Sequence, residues 1–297
     1  MSLLLGALTV GLILALVSLG VFLSFRVLRS LDLTTDGTFT TGAAVMGAVL
    51  MAGGGPLLAT IAGGVAGMLC GALTGFIHTR WRVDVILAGI LVATALYSVD
   101  IWVMRGGNLS LSGHPTLFDE VASLLGGLPP DPVTLVVLLL LVFGIGFFFA
   151  TFAVTDLGLA LRATGSSPRM AKAMAIDTGL ATTIGLALAN GCIGLSGALF
   201  AQYQGFVNIQ MGIGMIVTGL ASVILGEALY SQRNIRRKIL ASLLGAITFR
   251  LLIAVALRAG MDPNALKLVT AIFVLAALTL PKVFRRFSAP RARPAHG

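Results

Sequence analysis

Long apolar runs separated by short polar breaks dominate the chain. They fall near residues 3–25, 38–53, 56–77, 84–104, 133–155, 178–203, 212–229, 238–258 and 265–281. A run of about 20 apolar residues spans the roughly 30 Å hydrocarbon layer as a helix. The pattern therefore predicts an all-α polytopic membrane protein with about nine transmembrane segments, some of them broken helices. Residues 1–297 read as one transmembrane domain. The first run, from Leu3 to about Phe25, has neither a basic start nor an Ala-x-Ala cleavage site, so it reads as a retained first helix.

Composition narrows the class. Only 10% of the residues are charged and the mean hydropathy is +1.02, against about a quarter charged in soluble domains, which excludes a soluble fold. The 37 glycines and few aromatics favour closely packed helices over a β-barrel with aromatic girdles. The net charge of +9 does not mark a nucleic-acid binder, because the bases are spread over short inter-helix loops. Cys70 and Cys192 lie inside apolar runs and read as small core residues. His78, His114 and His296 are scattered, so no metal site is expected, and no His, Asp or Ser constellation marks catalysis.

The bases set an orientation. With the N-terminus outside, 16 of the 20 Lys and Arg face the cytoplasm, as the positive-inside rule requires. Arg105, Arg258 and Lys267 fall outside, and Arg250 lies within a segment. The basic tail 282–297 is then cytoplasmic, and loop 106–132, with Asp119, Glu120, Asp131 and the pair Pro129-Pro130, is the largest external element. That loop is either a docking surface for a soluble protein or a plain surface loop with a short amphipathic helix.

Gly63, Gly67, Gly71 and Gly75 recur every four residues, so they share one helix stripe where another helix can approach closely. The stretches GGVAGMLCGALTGF and NGCIGLSGALFAQY look alike and run in opposite directions in this topology. They make a candidate inverted repeat of the kind transporters use, although a chain so rich in Gly and Ala could match itself by chance.

Two polar interruptions carry the functional signal. In the first, Asp32, Thr34, Thr35, Asp36, Thr38, Thr40 and Thr41 crowd the start of an apolar helix. Capping of free N–H groups explains part of this; lining of a solute path is the other account. Glu227 is either functional, as intramembrane carboxylates often are, or an interfacial acid paired with a base of the Arg233–Lys238 cluster. Asp100, near Trp102 and Arg105, reads as interfacial, and Asn190 as an interhelical hydrogen bonder or a path residue. The second interruption, residues 156–178, is short, basic and amphipathic. Ser167 can cap and Pro168 can open a new helix there.

The run Leu161, Arg162, Ala163, Gly165, Pro168, Ala171, Ile176 resembles the cytoplasmic coupling loop of permease subunits of bacterial ABC importers, in the branched-chain amino acid, simple sugar and nucleoside group. Ala175 stands where that family often has Gly. Asp36-Gly37, after Leu28-Arg29 and followed by Thr38, Phe39, Gly42 and Ala43, stands where the family carries a polar, Gly-containing break. The Thr-Thr-Asp-Gly-x-Phe-Thr form looks like a less characterised subgroup linked to amino acids, aromatic ones included. The resemblance covers roughly residues 5–285. It implies an ATPase-coupling element at 160–175, with Arg162, Gly165, Ser167, Pro168, Arg169, Ala171 and Lys172. It also implies a translocation path through Thr35, Asp36, Gly37, Thr38, Phe39, Asn190 and Thr218. None of the four lysines follows a glycine, so no Gly-Lys-Ser/Thr phosphate loop is present. The chain is expected to bind no cofactor, and ATP and magnesium belong on partner ATP-binding subunits. A second permease copy, an external solute-binding protein and membrane lipid complete the implied partners, and a bacterial inner membrane is the implied location. The competing expectation is a self-sufficient carrier coupled to protons or sodium.

Overall fold

A computed structural model describes residues 2–124, 130–230 and 234–260, with single residues 268, 272 and 275. The apolar segment at 265–281, the tail 282–297, Arg233 and part of the 106–132 loop lie largely or wholly outside the described residues. Helix α1 (Ser2–Val21) continues into a π-helical turn at Phe22–Val27. Then follow α2 (Thr34–Met51), α3 (Pro56–Trp81), α4 (Val85–Met104), a short strand β1 (Asn108–Ser110), α5 (Leu117–Leu124) and α6 (Pro130–Phe152). The second half holds α7 (Asp156–Ser166), α8 (Pro168–Ala173), α9 (Thr178–Gln204), β2 (Phe206–Asn208), α10 (Met215–Leu229) and α11 (Ile235–Arg258). Six of these helices are long and apolar enough to cross a membrane. The more polar α2 and the 15-residue α10 account for two further expected segments.

The predicted segments match these helices closely because each break carries its own stop and start chemistry. Pro56 opens α3, Asp84 accepts the Ile86 N–H at 2.9 Å to cap α4, and Asp177 accepts from Gly179 and Leu180 to cap α9. Gly205, at φ +79°, ends α9. The antiparallel pair β1–β2, which apolar periodicity did not reveal, ties the end of α4 to the end of α9.

Helix α1 is the hub. Leu12, Ile13, Leu16, Leu19 and Phe22 are almost fully enclosed among α6, α9, α10 and α11. Helices α3, α4 and α6 instead turn large apolar side chains outward, among them Leu69, Leu91 and Leu140, as lipid-facing helices do. Lipid is as apolar as these side chains, so the bundle is held by close packing and interhelical hydrogen bonds rather than by apolar burial. Ser18 donates to the Ser242 carbonyl and Ser196 to the Ile13 carbonyl, at 2.9 and 2.7 Å.

The glycine stripe of α3 lies against α9. A Cβ at Gly67 would overlap the Asn190 carbonyl, one at Gly71 the Leu186 carbonyl, and one at Gly75 would lie 2.6 Å from the Thr183 Cα. As α3 advances, its partners on α9 step backward, so the two look-alike stretches pack antiparallel, face to face.

Candidate functional site

The chain leaves helical geometry after the π-helical turn and re-enters it at Thr34, deep inside the bundle. This break is lined by polar groups that satisfy one another. Asp32 accepts the Thr34 N–H at 2.9 Å and the Asn190 side-chain amide at 2.5 Å. Thr38 donates to the Asn190 Oδ1 at 2.8 Å, and the Thr34 and Thr74 hydroxyls lie 2.7 Å apart. Thr35 donates back to the Asp32 carbonyl at 3.0 Å. Asp32, Thr34, Thr35, Thr38 and Asn190 are all buried, and Phe39 is enclosed beside Phe200. Irregular backbone at membrane depth is tolerated where protein groups satisfy it.

Asp36 faces elsewhere. Its two carboxylate oxygens accept the Gly214 and Ile216 N–H groups, each at 2.9 Å. Helix α10 starts at Gly214, which has φ +87° and no side chain to cap with, so an acid on α2 caps α10 from across the bundle. Thr40 accepts the Gly212 N–H at 3.2 Å. Thr218, half-buried, donates to the Gly214 carbonyl one turn below. Asp36 and Gly37 also line a cavity of about 420 Å³ bounded by α2, α4 and the irregular segment before α10. Asp100 lines it too. The Trp102–Arg105 setting suggested an interface for Asp100, but only 1% of the residue is exposed.

The basic interruption forms a separate region at the opposite end from β1 and β2. Thr155 caps α7 and Ser167 caps α8, with Pro168 in its first turn. Gly165 is pressed onto the end of the π-helical turn, where any Cβ would overlap the Val27 carbonyl. Ala171 is buried, whereas Pro168, Arg169, Met170 and Lys172 are exposed. Arg162 is half-buried and donates to the Ala153 carbonyl at 3.5 Å. Ala175 adopts φ +60°, a left-handed backbone that suits glycine. This accounts for the glycine frequent there in the resembling proteins.

Two larger cavities flank this element. One, of about 780 Å³, meets Arg26, Arg29, Arg162, Glu227 and Lys238; the other, of about 700 Å³, meets His78, Arg82, Thr164, Lys172 and Asp177. Glu227 forms an ion pair with Arg26, at the foot of α1, a base that the charge pattern had assigned to a different loop from the Arg233–Lys238 cluster. No group of His, Cys, Asp and Glu that could hold a metal occurs among the described residues.

Membrane-spanning helices with buried polar breaks, joined to a compact basic element at one end, define a multi-pass membrane protein. The family described as the branched-chain amino acid transport system permease component matches residues 3–278. A tyrosine transport system permease protein of Clostridioides difficile is 34% identical over 278 residues, 94% of this chain and 91% of that one. Protein RP368 of Rickettsia prowazekii is 32% identical, over 95% of this chain and 99% of its own. An autoinducer 2 import system permease protein of Salmonella typhimurium is 26% identical over 67% of this chain and 55% of its own. No solved structure matches the chain. The chain belongs to the branched-chain amino acid permease family: it is a permease component of the ABC importer type and a multi-pass protein of the bacterial inner membrane.

Proposed function

We propose that this chain forms the membrane path of an ATP-driven importer for an amino acid, with aromatic amino acids as the leading substrate class. The substrate reading draws on the name and 34% identity of the tyrosine permease relative and on the Asp36-Gly37 break. ATP-binding subunits, carrying ATP and magnesium, dock on residues 160–175 at the cytoplasmic face. A second copy of the chain completes the path, and an external solute-binding protein delivers the solute to the side that bears loop 106–132. The antiparallel packing of α3 and α9 supports an inverted repeat, in which one half rocks against the other.

The single observation that carries the coupling role is the mounting of α7 and α8. Gly165 and Ala171 are buried against the bundle while Arg169, Met170 and Lys172 project outward. A push on the exposed side is therefore delivered to rigid helices, and the buried small residues hold the lever to the body. The test is the double variant Arg169→Glu, Lys172→Glu. It should reach the membrane at normal abundance, lose co-purification of the ATPase, and lose at least about tenfold in uptake, equivalent to about 1.4 kcal/mol of coupling. Full ATP-dependent uptake by the variant, or solute accumulation by the purified chain driven by an ion gradient alone, would sink this reading in favour of an ion-coupled carrier.

A further inference from the structure

The cavity of about 780 Å³ beside the basic element gathers charge from separate parts of the chain. Arg26 and Arg29 stand at and just past the foot of α1, Arg162 on α7 and Lys238 in the first turn of α11. Glu227, the one acid among the described residues that line it, is already paired with Arg26. Arg29, Arg162 and Lys238 form no ion pair among the described residues, and Arg162 donates to the Ala153 carbonyl at 3.5 Å. The positive-inside rule accounts for bases at this end of the molecule. It does not account for three uncompensated bases, far apart in the sequence, meeting in one cleft, where they repel one another until an anion joins them.

The charged groups are within reach of an occupant. Arg29 and Ser166 are exposed, and Arg162 and Lys238 are half-buried. Ile235 brings the start of α11 to the same cavity, and the N-cap residue Asn234 makes no side-chain capping hydrogen bond, so the positive end of that helix adds to the field. Phe25, Val27 and Ile235 contribute apolar surface to the walls. Arg26 and Lys238 lie within the last and first turns of membrane-spanning helices, the depth at which lipid headgroups sit. Basic pockets between transmembrane helices at this depth suit phosphate-bearing headgroups, and arginine meets phosphate through paired N–H donors.

We propose that this cavity binds a phosphate group through Arg29, Arg162 and Lys238, presented by an anionic phospholipid of the adjoining leaflet or by a soluble phosphate compound. The bound group ties the foot of α1 to α7 and α11, so the seating of the basic element depends on it. The site goes beyond the proposed function and does not rest on it, since neither an ATPase nor a transported solute takes part.

Thermal unfolding of the full-length chain in dodecyl maltoside tests the site and separates the two sources. A larger rise in Tm with phosphatidylglycerol than with phosphatidylcholine of the same acyl chains, and none with inorganic phosphate, assigns the site to a lipid headgroup; a rise with inorganic phosphate assigns it to soluble phosphates. Arg29→Gln combined with Lys238→Gln should raise the half-saturating concentration of the effective probe at least about tenfold. Arg80→Gln combined with Arg82→Gln, which removes the same charge from the foot of α3, should leave it nearly unchanged. No excess of phosphatidylglycerol over phosphatidylcholine together with no response to inorganic phosphate, or equal weakening by the two double variants, would overturn the site. A second measurement leaves all the bases in place. With Cys70 and Cys192 replaced, Ser166→Cys should react with an anionic methanethiosulfonate about tenfold faster than with a cationic one of similar size, after correction for intrinsic reactivity, and the effective probe should slow that reaction. An equal or faster reaction with the cationic reagent counts against the proposal.

Discussion

Gly214 begins α10 with a left-handed backbone and no side chain to offer the first N–H groups, and Asp36 supplies both acceptors from another helix. Of the two accounts of Asp36 drawn from the sequence, the structure displays capping, but the helix it caps is not its own. Asp36→Ala removes the cap of α10, a loss of about 0.5–2 kcal/mol at these part-buried N–H groups, whereas Asp36→Asn keeps one acceptor. Thermal unfolding in detergent should rank wild type above Asp36→Asn and Asp36→Asn above Asp36→Ala; equal midpoints for all three would show that the cap contributes nothing. Asn190 plays the corresponding part in the break before α2, joining Asp32 to Thr38. Asn190→Leu removes the partner of Thr38 and of Asp32 Oδ2 at once, while Asp32 Oδ1 keeps the Thr34 N–H, so a loss of about 1–3 kcal/mol per unsatisfied group is expected. Its measure is the yield of monodisperse protein after extraction, which should fall steeply.

Between elements, the deciding contact is that of α3 with α9. Glycines 67, 71 and 75 allow backbone to meet backbone there, so even a methyl group has nowhere to go. Gly64, on the same helix, has only Leu195 carbons at 3.6 Å and an oxygen at 3.9 Å near its notional Cβ, an ordinary contact. Gly71→Ala should therefore destabilise the bundle by about 1–3 kcal/mol or more, and Gly64→Ala should leave it close to unchanged. Comparison of the two unfolding midpoints checks the assignment of the stripe to packing, because a general intolerance of α3 to alanine would lower both.

At the scale of the whole molecule, β1 and β2 mark one end and α7 and α8 the other. The charge pattern predicts that these ends lie on opposite sides of the membrane. Ser112 and Ser166 are exposed, one at each end. Single cysteines at these positions, in a background lacking Cys70 and Cys192, should react with an impermeant thiol reagent from opposite faces of intact cells and inverted vesicles. Labelling of both from the same face would overturn the orientation. The loop between β1 and α5 is tied down at its end: Gln202 of α9 accepts the Leu117 N–H at 2.8 Å and donates to Thr60 at 2.7 Å, which fixes the start of α5 to the bundle.

Sequence alone determined the class of this protein, the helices from α1 to α11 that coincide with apolar runs, and the capped turn at 165–168. These follow from local rules: apolar length against bilayer thickness, proline and serine at helix starts, and small residues at four-residue spacing. It also picked out the polar crowd at 32–41 as something a lipid-facing helix does not need. Only the tertiary structure decided what those groups touch. Asp32 and Asn190 are 158 positions apart, and Asp36 and Gly214 are 178 apart; no local pattern records which distant N–H a carboxylate will meet. For the same reason Asp100 reads as interfacial beside Trp102 and Arg105, because a residue four positions from a helix end has the same sequence context whether its side chain turns to the headgroups or inward against neighbouring helices. The packing of α2 and α3 against α4 makes that choice.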